Sequence, residues 1–289
     1  MKIPFVDYSG LAHPKKCLQE WIQYHTVGII AAPQGAGLTR LLEHTVLNTT
    51  LKIAYIQLFE PHKAQIRTVK IASSATVIGF SLLWSQLNRL SRPHSDAQKI
   101  PNYPSSIAPV TDRDFLKAYD GILSLLENPR SSVEAMIIDN AQFGDSKLFT
   151  ILLQLIDECH IPPALILGVR LEGFANADEA LSRQRAVIPQ LEQRRKPILS
   201  LENITFEVFD EEILPRFLWH SNIDLDPAVD AQQDVVATAL WDRTNGNWHR
   251  MQLLYTALQI HAVATEAQTL LLTWEAYTKV LQELDGFKA

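Results

Sequence analysis

The sequence predicts an α/β fold, a parallel sheet flanked by helices, followed by a small all-helical domain. Three observations predict it. Short apolar runs alternate with segments in which apolar residues recur every three or four positions, the pattern of strands joined by crossover helices. A glycine turn, PQGAG, leads from the first apolar run straight into a helical segment. Past residue 206 the apolar runs stop and helical periodicity takes over, which divides the chain into a core, 1–206, and a C-terminal helical domain, 207–289.

The elements follow in order. Lys15–Tyr24 reads as a helix, TVGIIAA (Thr26 to Ala32) as a buried strand, and Leu38–Leu47 as the helix after the turn. KIAYIQL, Lys52 to Leu58, is a second strand, and Ile66–Leu90 is mainly helical. Arg92–Asp112, rich in Pro, Ser and Asn, reads as a long surface loop before the helix Asp114–Glu127. VEAMIID is a strand ending in an acid, Leu148–Glu158 an amphipathic helix, and ALILGVR, Ala164 to Arg170, another strand. A short strand near Ile204–Phe209 is expected to close the sheet. The remaining helices are Asp210–Trp219, Asp226–Thr244, Trp248–Ala264 and Thr273–Leu284.

Composition narrows the function classes. The 26 Lys+Arg against 32 Asp+Glu give a formal net charge of −6, so any nucleic-acid contact must come from a local basic patch. Cys17 and Cys159 are the two cysteines; they read as free thiols in a reducing compartment, with no CxxC metal pair. The N-terminus has no apolar signal core and no run reaches membrane-spanning length, so a cytoplasmic protein without a membrane partner is expected.

The stretch AAPQGAGLTR, Ala31 to Arg40, has the parts of a phosphate-binding loop: a strand, glycines that let backbone N–H groups converge, and a helix whose N-terminus faces the anion. Against the pattern GxxxxGK[ST], Ala32 stands at the first position, Gly37 at the second glycine and Thr39 at the Mg²⁺-binding hydroxyl. Leu38 replaces the lysine. A charge-assisted hydrogen bond contributes roughly 1.5–3 kcal/mol, so its loss weakens phosphate binding about ten- to a hundredfold. Arg40 lies past the turn. The same residues also fit a plain glycine turn with no ligand.

A second motif adds weight. Asp139 ends the strand MIID where a second Mg²⁺-associated carboxylate belongs in a nucleotide-binding fold. Asn140 follows, where such sites carry a water-activating glutamate. An amide orients water but does not take its proton. Leu38 and Asn140 together predict weak or absent hydrolysis. A strand-end turn acid is the plain alternative for Asp139.

The order PQGAGLT, helical insertion, IIDNAQ, ILGVR, QLEQRRKP, GNWHR resembles AAA+ ATPases, and more narrowly the transposition regulators of the TnsC/TniB/MuB type. IIDNAQ is similar to the family's IIDEAQ, ILGVRLEGF to the strand-end segment that carries a first sensor, and TNGNWHRMQLL to the lid segment that carries a second. The resemblance implies an AAA+-like P-loop core with a helical lid, binding ATP and Mg²⁺. Pro33, Gln34, Gly35, Ala36, Gly37, Leu38, Thr39 and Arg40 would line the nucleotide, with Thr39 and Asp139 at the metal. Gly168–Arg170 would be the first sensor, although Val169–Arg170 departs from the usual polar residue, and Arg250 would be the second. Arg194 or Arg195 would act as a finger in the neighbouring subunit's site, or QRR is simply a solvated charge run.

Family members form rings or helical filaments on double-stranded DNA and link target selection to a transposase. Lys63, Arg67 and Lys70, after the second strand, would be the DNA contacts, giving salt-dependent binding without base readout, or they form a solvated helix face. The resemblance therefore implies a nucleotide-responsive assembly factor in transposon target selection. Its partners would be duplex DNA, further copies of itself, a transposase and a target selector, and an active paralogous ATPase could supply turnover. Two alternatives stay open: an active ATPase switch on DNA, with Lys15, Lys16 or Arg40 in place of the lost lysine, and an interaction scaffold that has lost nucleotide.

Overall fold

A computed structural model describes residues 5–59, 74–90, 112–127, 133–182, 189–265 and 269–286. They divide into two compact units. One takes the described residues of Pro14–Pro33 and Leu38–Leu201, the other those of Met1–His13, Gln34–Gly37 and Glu202–Ala289.

In the first unit, helix α1 (Ala12–Gln23) leads to β1 (Val27–Ala32), all six residues of which are buried. Helix α2 (Leu38–Leu47) and β2 (Lys52–Gln57) follow, then helices α3 (Ser74–Leu90) and α4 (Asp112–Glu127). β3 (Val133–Asp139), α5 (Ser146–Glu158), β4 (Ala164–Arg170), α6 (Ala177–Ser182), α7 (Pro189–Arg194) and the two-residue β5 (Leu199–Ser200) complete it. The strands form one parallel sheet in the order β2-β3-β4-β1-β5. Continuous apolar runs suit this architecture, because a parallel sheet is buried on both faces.

The order β2-β3-β4-β1-β5 puts the first strand inside the sheet, so the chain changes direction beside β1. Open parallel sheets bind ligands outside the carboxyl ends of strands at such a point. Helix α5 shows how the covering helices are fixed. Asp145 caps it by accepting the Leu148 N–H at 2.9 Å, and Leu148, Phe149, Leu152, Leu153, Leu155 and Ile156 are buried. Each such apolar side chain contributes about 1.5–3 kcal/mol when fully buried.

The strand expected near Ile204–Phe209 is a helix start instead, and the edge beside β1 is Leu199–Ser200, with Leu199 opposite Ile30. Thr205 explains the difference. Its hydroxyl accepts the Val208 N–H, an N-cap, and Phe209, Ile213, Leu214 and Phe217 are then buried at helical spacing.

That helix opens the second unit: α8 (Phe206–Val208), a π-helical turn over Phe209–Ile213, and α9 (Leu214–His220) run on without a break. β6 (Ile223–Leu225), α10 (Pro227–Asp230), α11 (Gln233–Thr244), α12 (Trp248–His261), β7 (Val263–Ala264), β8 (Leu270–Leu272) and α13 (Trp274–Gly286) follow. The region is helical, with one addition: β6, β8 and β7 form a small three-stranded sheet. Strands of two or three residues are too short to carry a readable period. Trp241 packs on Phe206 and Phe209, and Phe217 on Trp248 and Tyr255, so both tryptophans that flank the α11–α12 turn pack against aromatic rings. No helix among the described residues is long and apolar enough to cross a membrane.

Candidate functional site

Three chain segments meet at the carboxyl ends of the first unit's strands. β3 delivers Asp139, β4 delivers Arg170, and the first turn of α2 delivers Thr39. Thr39 Oγ1 donates to Asp139 Oδ2 at 2.8 Å, and Arg170 Nη2 donates to the same Thr39 oxygen at 2.8 Å. β2 adds two more donors on one face of the strand, Tyr55 Oη at 3.1 Å and Gln57 Nε2 at 3.2 Å, both to Asp139 Oδ2. The Asn140 N–H closes the set on Oδ1 at 2.8 Å.

Asp139 is fully buried. Burial is the largest influence on its pKa and raises it above the usual carboxylate value. The Thr39 bond, the Arg170 charge, the Asn140 N–H and the Tyr55 bond all pull the other way without overcoming it. A carboxylate this deep persists only because its donors replace water.

The same geometry tests the expected metal. Thr39 donates its proton to Asp139 and accepts from Arg170, which leaves its oxygen one lone pair, and Asp139 Oδ2 already accepts three bonds. A Mg²⁺ bound to a hydroxyl sits about 2.0–2.1 Å away. Beside this hydroxyl it would stand roughly 4 Å from a guanidinium, where even two unit charges repel by about 4 kcal/mol at an effective dielectric of 20. With the Arg170 guanidinium seated on the Thr39 hydroxyl, Thr39 and Asp139 do not fit a Mg²⁺.

Asn140 has a structural task. It adopts the left-handed conformation at φ 57°, which asparagine tolerates better than most residues. Its Nδ2 donates to Leu58 O at 3.0 Å, and the Leu58 N–H donates to Asp139 O at 2.9 Å, so the ends of β2 and β3 are laced together. Gln142 Oε1 accepts the Arg170 N–H at 3.1 Å and joins β4 to this lacing. Gly168 leaves room for it: a Cβ there would lie 2.7 Å from Leu42 and 3.3 Å from Asp139 Oδ1. Leu38, in the lysine position, is buried.

Gln34–Gly37 of the glycine turn belong to the second unit. Gly35 and Gly37 have φ of +86° and +88°, the left-handed region only glycine enters freely. Trp248 N–H donates to Gly35 O at 2.6 Å, and a Cβ on Gly35 would lie 2.3 Å from Asn247 Nδ2. Asn247 also caps α12, its Oδ1 accepting the His249 and Arg250 N–H groups at 3.0 and 3.2 Å. Gly35 thus admits the start of α12. Ala36 is buried, Pro33 half-buried and Gln34 exposed.

The remaining candidates are scattered. Arg40 pairs with Glu43 at 3.6 Å. Arg250 Nη1 donates to Arg243 O at 3.3 Å, in the last turn of α11. Arg194 makes a two-pronged pair with Asp157, one bond at 2.8 Å, which raises its pKa. Arg195 Nη2 lies 3.1 Å from Asp178, and its residue bridges β1 at Val27. Lys63, Arg67 and Lys70 lie outside the described residues.

Sequence reasoning missed Tyr55 and Gln57, and it did not assign Arg170 to the Thr39 hydroxyl. A signal for the first two was present: in KIAYIQL they stand two apart at the strand's end, so they share a face.

No family model matches the sequence, and no curated protein does. Among solved structures, a Walker-type ATPase of Pyrococcus abyssi is similar with a TM-score of 0.56 and 13% identity, over 98% of this chain and 73% of that one. The structure of Drosophila ORC bound to DNA is similar with a TM-score of 0.50 and 13% identity, over 94% of this chain. The chain spans 65% of that protein's length, just under two thirds. At such identities the likeness is one of fold. This chain has the AAA+-type fold, a P-loop α/β core followed by a helical region.

Proposed function

We propose that this chain is a nucleotide-responsive assembly factor on duplex DNA that binds a triphosphate with little or no turnover. The observation that carries the reading is the convergence of Thr39, Asp139 and Arg170 at the carboxyl ends of a P-loop-type sheet, the place where such sheets receive ligands. The DNA-bound fold neighbour supports an association with DNA. Asn140 supports the absence of turnover, since its amide is tied to Leu58 O and is no base.

The finer assignment, transposon target selection, rests on the motif order from PQGAGLT to GNWHR. In that setting the chain acts as a ring or filament scaffold on DNA. Lys63, Arg67 and Lys70 meet phosphates, Arg194 or Arg195 enters a neighbour's nucleotide site, and Arg250 is the second sensor, reaching toward the γ-phosphate. Because both arginine candidates are paired within the chain, a finger role requires Arg194 to exchange Asp157, or Arg195 to exchange Asp178, for the neighbour's phosphate. A transposase and a target selector bind this scaffold. Without hydrolysis it lacks a disassembly clock of its own, and an active paralogous ATPase supplies one.

Phosphate release from ATP, measured with and without duplex DNA, tests the reading. Release at background in both conditions is expected. A turnover in the range of working enzymes, on the order of 1 per second or faster, would contradict it and favour the active-switch alternative.

A further inference from the structure

The phosphate-loop position that usually carries a cation holds the buried Leu38, while the end of β4 carries a cation on the Thr39 hydroxyl. A hydroxyl has one proton and two lone pairs. Thr39 gives the proton to Asp139 and a lone pair to Arg170. Arg170 is half-buried, and among the described residues its guanidinium is bonded to no acceptor but Thr39, although a guanidinium offers five N–H donors. Such a fork suits phosphate oxygens, which it can hold in pairs. The loop has lost a positive charge, and the strand end has gained one on the atom a metal would need.

We propose that this chain binds the polyphosphate of its nucleotide without a divalent cation, with the Arg170 guanidinium supplying the positive charge. The proposal rests on the nucleotide reading above and replaces the metal in it. It also assigns a specificity. A guanidinium at the hydroxyl favours the metal-free triphosphate over its Mg²⁺ complex, because ion and guanidinium compete for one oxygen and repel each other.

The test uses the full chain and a ribose-labelled fluorescent ATP, titrated by anisotropy in excess EDTA and again in excess MgCl₂. The wild type is expected to bind in EDTA at least as tightly as in Mg²⁺. R170A is expected to lose about ten- to a hundredfold in EDTA, the value of one charge-assisted bond, and to regain affinity in Mg²⁺ because the Thr39 oxygen is then free. R170K keeps the charge and should retain most of the binding in EDTA. A purely structural role for Arg170 would weaken binding equally in both buffers. Wild-type binding that requires Mg²⁺, or an R170A variant unaffected in EDTA, overturns the proposal and leaves the nucleotide reading standing. No binding in either buffer overturns both. If R170A does not fold, the wild-type comparison and R170K still decide.

Discussion

Replacing Asp139 with alanine removes one acceptor from four donors at once: the Thr39 and Tyr55 hydroxyls, the Gln57 amide and the Asn140 N–H. A buried donor left unsatisfied costs about 1–3 kcal/mol, and the Thr39 hydroxyl and Asn140 N–H alone make two, so D139A is expected to lose about 2–4 kcal/mol in urea denaturation. A loss below about 1 kcal/mol would show that the cluster holds little of the fold together. The loss should depend on pH. Burial raises the folded pKa of Asp139, so between the ordinary value of about 3.9 and that raised value the native state holds the proton more tightly than the unfolded chain. The contribution of Asp139 is therefore fully present below the ordinary value and falls as pH rises through the window. Denaturation at acid and neutral pH should show D139A costing more at acid pH; the reverse order would contradict a raised pKa. The sequence marked Thr39, Asp139, Asn140 and Arg170 as candidates, but not the bonds that join them or the part of Tyr55 and Gln57. Tyr55 and Gln57 reach the carboxylate because register sets Gln57 opposite Asp139, two residues 82 apart in the chain. Arg170 lies at the sheet's end because β4 pairs with β1 as far as Ala32. Pairing of this kind is a property of the assembled sheet.

Among the elements, the glycine turn and the start of α12 make the sharpest expectation. G35A places a side chain in the left-handed region and against Asn247, so it should cost about 2 kcal/mol, of which roughly half is backbone strain. N247A removes the α12 cap, about 1 kcal/mol, but also empties the space beside Gly35. The G35A/N247A double variant should then be more stable than the sum of the two losses predicts, by about 0.5 kcal/mol or more. Strict additivity would mean that Gly35 and Asn247 do not meet. The elements themselves were largely legible. β1 to β4 are six or seven residues long and nearly all apolar, and the long helices carry clear spacing. What escaped was short or ambiguous. β5, β6, β7 and β8 have two or three residues each, and TFEVF satisfies strand and helix patterns equally until Thr205 is recognised as a cap.

For the molecule as a whole, net charge and assembly carry the expectations. At −6 the chain does not attract DNA by overall charge, so any affinity for DNA must come from a few cations acting together. The triple variant K63A/R67A/K70A should weaken duplex binding uniformly across sequences and flatten the salt dependence by roughly 0.9 per lost phosphate contact, about 2.7 in log–log slope. An unchanged slope would move the DNA surface elsewhere on the chain. The AAA+-type fold was legible in the motif order, while the proposed transposition role would depend on what the chain assembles with. The proposed function depends on one event, a triphosphate converting single chains into an assembly on DNA. Electron-microscope imaging of the purified protein with duplex DNA, with and without ATP, tests that event most directly. Rings or helical filaments should form on the duplex with ATP and persist because the nucleotide is not consumed. Single particles off the DNA in both conditions, or assemblies that form equally well without ATP, would contradict it.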